Sequence, residues 1–554
     1  MNLIHFIDAV KEKLDTMSEQ DKSDFIVKYA ETLPESKREE FLASLSFREM
    51  KGKDEISQMK NDVLHALVEI HNGKLSLDSE WDEYDYDYDD DTDGISLLDP
   101  DGIGGILHQA AVCLHMLNDR MMYQDAYEIA YALSKLEIPV KGVYTEEFES
   151  DSLSVSEVLD DLDNIDKQQW KCDSLAAVFY GEGSPACFYL MCESFDYMGC
   201  PVRFLVEAGI EVKDLQDFLP QWIEYLCTRI AFSSSDENWL KEALTYITDQ
   251  NVLLSLTEMY GAVHPCMLEY CLQQNIWKDV ERAWKLLHEI DSRYMIRSRI
   301  ALLIADKTED RRLKEKCYLE AFRSDTDEVS YLRLRIMTEN FDLYQQQVQE
   351  ILALEKTETD PQMTSVLPEE RRVNYYLYDG SDELHFFTCD FSYFFDLDGS
   401  FNSHCNDDLF LLYLYQEGDR NGSGMKYMIR EAMLDTGFNK EEFYAGTGIE
   451  TEETDQEVFV SLFDRWKGTV SMDRVMEMTI LNDIAERWQD NIRGILKEQN
   501  RKMYDTAALR LAAFGEVLES RGVTGEKKRM LNRYAEEYGN YRRFMRSIAY
   551  AEKK

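Results

Sequence analysis

No proline follows Pro368, so the last third of the chain lacks the residue that most reliably breaks a helix by removing a backbone donor. Within that stretch apolar residues return every three or four positions. Ile480, Ile484, Trp488, Ile492 and Ile495 form one stripe; Ala507, Ala508, Leu511, Ala512, Gly515 and Leu518 form the next, which Gly522 can close. The whole chain has only 9 prolines and 26 glycines in 554 residues, too few punctuating residues for a turn-rich β fold. The expectation is an all-α protein, and 44% hydrophobic residues suffice for large cores.

Paired short helices are expected upstream as well. Residues 1–74 read as a small N-terminal helical module, in which Ile56, Met59, Val63, Leu67 and Ile70 share one face and Asn72-Gly73 ends the helix. Residues 75–100 read as an acidic linker, 101–355 as a helical-repeat solenoid, 356–383 as a loop between two halves, and 384–554 as a C-terminal helical domain with a basic end. A similar turn occurs twice, at Tyr123-Gln124-Asp125-Ala126 and at Trp277-Lys278-Asp279-Val280, as in stacked helical hairpins of irregular repeat.

Charge is unevenly spread. The net charge is −48, yet residues 487–554 hold 16 Lys and Arg against 9 Asp and Glu, a net of +7, leaving −55 on residues 1–486. Such an acid excess repels phosphate backbones and favours basic protein partners over direct nucleic-acid binding. Ten of the acids fall in residues 78–93, where Tyr84, Tyr86 and Tyr88 alternate with Asp85, Asp87 and Asp89; this is a solvated linker or, through its tyrosines, a partner-docking segment. Eleven cysteines without regular spacing do not form a disulfide framework, the N-terminus has no secretory pattern, and apolar runs such as 409–415 are too short to span a membrane. A cytoplasmic protein is expected.

Three passages resemble uncharacterised bacterial helical-repeat proteins related to tetratricopeptide arrays: Ala321-Phe322-Arg323-Ser324-Asp325 leading to Tyr331-Leu332-Arg333-Leu334-Arg335, Ala507-Ala508 leading to Gly515–Gly522, and Tyr538 to Phe544. Some members of that group carry a SWIM-type zinc module. This chain has Cys113-Leu114-His115 but no Cys-x-Cys, so the resemblance implies the solenoid alone, without zinc and without enzymatic activity. Gly424-Met425-Lys426, at the end of a glycine-rich turn, is similar to the cleavage segment in the helical substrate protein of type III-E CRISPR systems. That resemblance implies a caspase-like protease cutting between Met425 and Lys426, and a sigma factor as bound partner.

Sites for chemistry are sparse. Asp89-x-Asp91-x-Asp93-Gly94 opens like a calcium loop, but Pro100 stands where the bidentate Glu belongs, which favours a plain acidic linker. His108 with Cys113 and His115, His264 with Cys266 and Cys271, and Cys389 with His404 and Cys405 fall short of four ligands at zinc spacing and read as core residues. Gly102-Ile103-Gly104-Gly105 precedes a helix but follows no predicted strand and has no Lys-Ser/Thr, which argues against a phosphate cradle. Gly418–Lys426 is either an exposed segment open to proteolysis or an ordinary helix connection. Lys527, Lys528, Arg529, Arg533, Arg542, Arg543 and Arg546 are either a solvated cap or a patch for phosphate or an acidic partner. These readings converge on a non-enzymatic scaffold or regulator without cofactor or metal that binds a basic protein partner, with the proteolytic switch as the alternative and a weak metal-binding protein or unrecognised enzyme as the third.

Overall fold

The computed structural model describes residues 28–29, 53–81, 95–142, 152–161, 165–195, 199–291, 294–358, 382–396, 401, 407–415 and 422–553. The protein is all-α, 71% helical, with 25 helices and a few short strands among the described residues. No described helix is long and apolar enough to cross a membrane. Two compact units divide the chain, Met1–Thr248 and Asp249–Lys554.

In the first unit, α1 (Lys53–His71) buries Ile56, Val63, Leu67 and Ile70 on the expected face, and Gly73 ends it in the left-handed region at φ 70°. The segment expected to be a linker is partly folded: β1 (Asp78–Trp81) pairs antiparallel with β2 (Ile95–Leu98). Ser79 is buried there and its hydroxyl donates to the Lys141 carbonyl at 2.6 Å, so the strand is fastened on both edges. The acid count hid this alternation. Two helices follow, α2 (Ile103–Asp119) and α3 (Tyr123–Ser134), then β3 (Glu137–Pro139), β4 (Ser152–Ser154), α4 (Val155–Asp161) and α5 (Lys167–Gly181). Lys60 on α1 reaches Asp125 at 2.5 Å and Glu128 at 2.9 Å, joining α1 to α3. The unit ends with α6 (Pro185–Glu193), α7 (Pro201–Glu207), α8 (Leu219–Cys227) and α9 (Ser234–Tyr246), around a core of Phe188, Phe218, Trp222 and Trp239.

The second unit begins with consecutive packed helices: α10 (Gln250–Tyr260), α11 (Cys266–Gln273), α12 (Val280–Glu289), α13 (Ile296–Lys307), α14 (Arg311–Ser324), α15 (Glu328–Met337) and α16 (Gln345–Glu358). The two similar turns are not equivalent. Asp279 caps α12 by accepting the Arg282 amide, whereas Asp125 lies inside the first turn of α3. Part of the acid excess has this structural use: Asp166, Asp249, Asp279, Asp310, Asp327 and Asp473 each accept amides at a helix start, where a carboxylate also meets the favourable end of the helix dipole.

Of the segment expected to be a loop, residues 359–381 lie outside the described residues. Helix α16 continues to Glu358, and α15 packs against three later helices: α17 (Asp382–Phe387), α20 (Lys440–Tyr444) and α21 (Asp455–Lys467). Arg333, 1% exposed on α15, ties this junction by donating to the carbonyls of Glu442 and, at 2.9 Å, Phe443. Between α17 and α20 lie α18 (Asp407–Leu414) and α19 (Ser423–Asp435). Phe386, Phe394, Phe410, Phe463 and Trp466 form the aromatic core here. The chain closes with α22 (Arg474–Lys497), α23 (Tyr504–Ser520), α24 (Glu526–Glu537) and α25 (Arg542–Lys553), the first two carrying the stripes read from the sequence.

Candidate functional site

The apolar faces of α22 to α25 set up a groove at the basic end. Ile492, Leu496, Tyr504, Leu511, Leu531, Phe544 and Ile548 form one buried cluster, which holds the start of α25 against the start of α23. Each start is preceded by a turn. Gln499 takes φ 54° and a short 3-10 turn, Arg501–Met503, leads into α23, while Asn540 and Tyr541 lead into α25. The two turns and the helix starts behind them line a groove of about 1270 Å³.

Its electrostatics are unusual for so acidic a chain. Arg501, Arg542, Arg543 and Arg546 all line it and all are exposed. Among the described residues none of the four forms an ion pair, although arginines elsewhere in the unit do: Arg299 with Glu269, Arg487 with Asp407, Arg521 with Glu477. The lining carboxylate, Asp505, accepts the hydroxyl of buried Ser547. No acid lies in the first turn of α25, so its helix dipole adds to the positive field, whereas Asp505 in the first turn of α23 offsets that helix's. Aromatic surface adjoins the guanidinium groups. Tyr504 is the buried floor, edge-on to Phe544 at 5.6 Å and to Tyr541 at 6.4 Å, and Tyr550 stands half-exposed at the rim. Such an arrangement can grip an anion by charge-assisted, forked hydrogen bonds and cover an attached chain with tyrosine rings.

The seven basic residues noted near the C-terminus divide between roles. Lys527 pairs with Glu516 at 2.6 Å, Arg529 with Glu526 at 2.6 Å, and Lys528 reaches Glu552 at 4.0 Å, while Arg533 reaches Gln489 at 3.3 Å. Arg542, Arg543 and Arg546 belong to the groove. Sequence reasoning missed Arg501, Tyr541 and Tyr550 as their companions. A signal existed for part of it: Arg542, Arg546 and Tyr550 recur every four residues, so they share one helix face.

Met425 and Lys426 lie in the first turn of α19, not in an exposed loop, and Met425 is fully buried although Lys426 is exposed. Glu516, from the last third of α23, accepts the Met425 amide at 2.7 Å and the Gly424 amide at 3.3 Å while paired with Lys527. A Cβ on Gly424 would overlap the Ala513 backbone, so this glycine serves close helix packing rather than loop freedom. Ser423 adds a bond from its hydroxyl to the Ala551 carbonyl at 2.8 Å. Residues 416–421 lie outside the described residues.

The remaining candidates scatter. Tyr84, Asp85, Tyr86, Asp87, Tyr88 and Asp89, with Asp91, Asp93, His404 and Cys405, lie outside the described residues. The amides of Ile103 and Gly104, which a phosphate would need, already donate to Asp99 at 2.7 and 2.8 Å. Cys113 is fully buried and its thiol is pushed up to about 12 by burial; His115 is half-exposed and hydrogen-bonded to Asp173 at 3.0 Å, which raises its pKa. Cys271 is buried against the Thr257 hydroxyl at 3.3 Å, as a small core residue. No group of three or more His, Cys, Asp or Glu suited to a metal occurs among the described residues.

In comparison with known proteins, the chain matches no family model, no curated protein and no solved structure.

Proposed function

We propose that the chain is a non-enzymatic helical scaffold that holds a protein partner by charge, with the arginine groove of α23 and α25 as its gripping surface. The observation that carries this reading is the set of four arginines without ion pairs among the described residues, gathered in one groove of a chain with net charge −48. An acidic protein gains nothing in stability from clustering like charges without counter-ions. A ligand that brings the missing anions relieves that repulsion and wins charge-assisted bonds. The groove takes an acidic segment, and the −55 carried by residues 1–486 suits a basic surface elsewhere on the same partner.

The test is fluorescence anisotropy with a labelled peptide rich in Glu and Tyr, titrated with the full chain at low and at moderate salt. Binding is expected to weaken as salt rises, and to fall at least about tenfold when Arg542, Arg543 and Arg546 become alanine, given the worth of several charge-assisted bonds. Equal binding by the triple variant, with unchanged helix content, contradicts the groove as the surface.

A further inference from the structure

Resting on that reading, we infer that the segment received by the groove carries phosphate monoesters, so that the partner is bound in its phosphorylated form. Every cation in the lining is arginine and none is lysine. A guanidinium offers a rigid fork of donors that matches phosphate oxygens two at a time, whereas an ammonium acts as a point charge. Arg542 and Arg546 stand one helical turn apart on α25, with Arg543 beside them, a spacing that lets two forks close on one tetrahedral group.

Charge arithmetic favours the dianion. Four arginines face one lining carboxylate, and that carboxylate is engaged by Ser547. A side-chain carboxylate supplies a single charge, while a phosphate monoester supplies nearly two at neutral pH together with three acceptor oxygens. The tyrosines suit the rest of a peptide: Tyr541 and Tyr550 line the same groove as the arginines, where aromatic surface can meet the residues on either side of the phosphate. A long nucleic acid carries the same phosphate chemistry, but its length brings it against a chain whose other 486 residues hold −55.

The experiment uses the full chain and four probes at equal ionic strength: a labelled peptide with two phosphoserines, the same peptide with glutamates in their place, a single-stranded RNA of similar charge, and inorganic phosphate as competitor. The phosphopeptide is expected to bind at least about tenfold more tightly than the glutamate peptide, from its extra charge and acceptors. Replacing Arg542, Arg543 and Arg546 by lysine keeps the charge and removes the forks. This variant is expected to lose most of that preference while still binding the glutamate peptide. Equal affinity for both peptides overturns the phosphate inference and leaves the acidic-segment reading standing; binding of neither overturns both. Tighter binding of RNA than of phosphopeptide, or complete displacement by inorganic phosphate at the peptide's own concentration, assigns the groove to another anion and also overturns the inference.

Discussion

Replacing Glu516 by alanine is expected to release the start of α19 and expose the Met425–Lys426 bond. Glu516 and Lys527 are joined at 2.6 Å with side chains only 10% and 16% exposed, so water screens the pair weakly. Removing one member of a buried pair costs about 3–5 kcal/mol, because the other charge stays buried without its partner. Lys527 is the more exposed of the two, which places the expected loss near the lower end, about 3 kcal/mol. The Gly424 and Met425 amides lose their acceptor in the same variant, at about 1–3 kcal/mol per buried donor, and this overlaps with the first loss rather than adding to it. Amide hydrogen exchange read by mass spectrometry on peptides covering 422–430 reports the change locally. A loss of about 3 kcal/mol corresponds to roughly a hundredfold fall in protection. Protection within threefold of the unmodified chain would refute the view that this carboxylate anchors the helix.

Further expectations follow from the same structure. In the native full chain the Met425–Lys426 bond survives limited proteolysis that nicks other segments, and Glu516→Ala makes it a cut site; a first cut there in the unmodified protein would contradict its helical burial. Gly424→Ala forces a Cβ into the Ala513 backbone and is expected to lower stability to urea by about 1–3 kcal/mol, the usual cost of overpacking, while Gly437→Ala, with open space around it but φ 59°, costs about 1 kcal/mol through its backbone alone. Burial pushes the Glu242 carboxyl from 4.5 up to about 7 even though it accepts the Val202 and Arg203 amides. The folded chain therefore keeps a proton there that the unfolded chain has released, and this group's contribution to stability falls as pH rises from about 4.5 to about 7. Glu242→Gln should remove that slope, so urea midpoints of the two proteins measured at pH 5 and pH 8 must diverge differently; parallel midpoints refute the shift. His115 is held above its ordinary 6.5 by its hydrogen bond to Asp173, a contribution present below that value and lost as pH rises through the raised one; Asp173→Asn should bring its NMR titration back down.

Much of the helical framework was legible because 3.6-residue periodicity is local. Ile480, Ile484, Trp488 and Ile492 of the stripe are buried on α22 and Ile495 partly so, and Asn72-Gly73 ends α1 as its left-handed glycine suggests. Strand pairing depends on partners far along the chain, and so β1 was lost among the acids of 78–93, where Ser79 meets Lys141 only in the folded protein. The glycine-rich turn misled for a related reason. Glycine marks either freedom or close approach, and only the arrival of Ala513 against Gly424 tells which. The groove was half visible: the arginines of α25 stand in one run, but Arg501 and Tyr504 come from a turn and the helix start after it, some forty residues earlier, and join them through the core beneath.

The groove between the starts of α23 and α25 is the surface proposed to meet a partner. Hydrogen exchange of the full chain, with and without a saturating phosphorylated acidic peptide, tests this most directly. The predicted result is new protection confined to residues 499–505 and 540–550, abolished by alanine at Arg542, Arg543 and Arg546. Protection falling elsewhere in either unit, or unchanged protection in that variant, would contradict it.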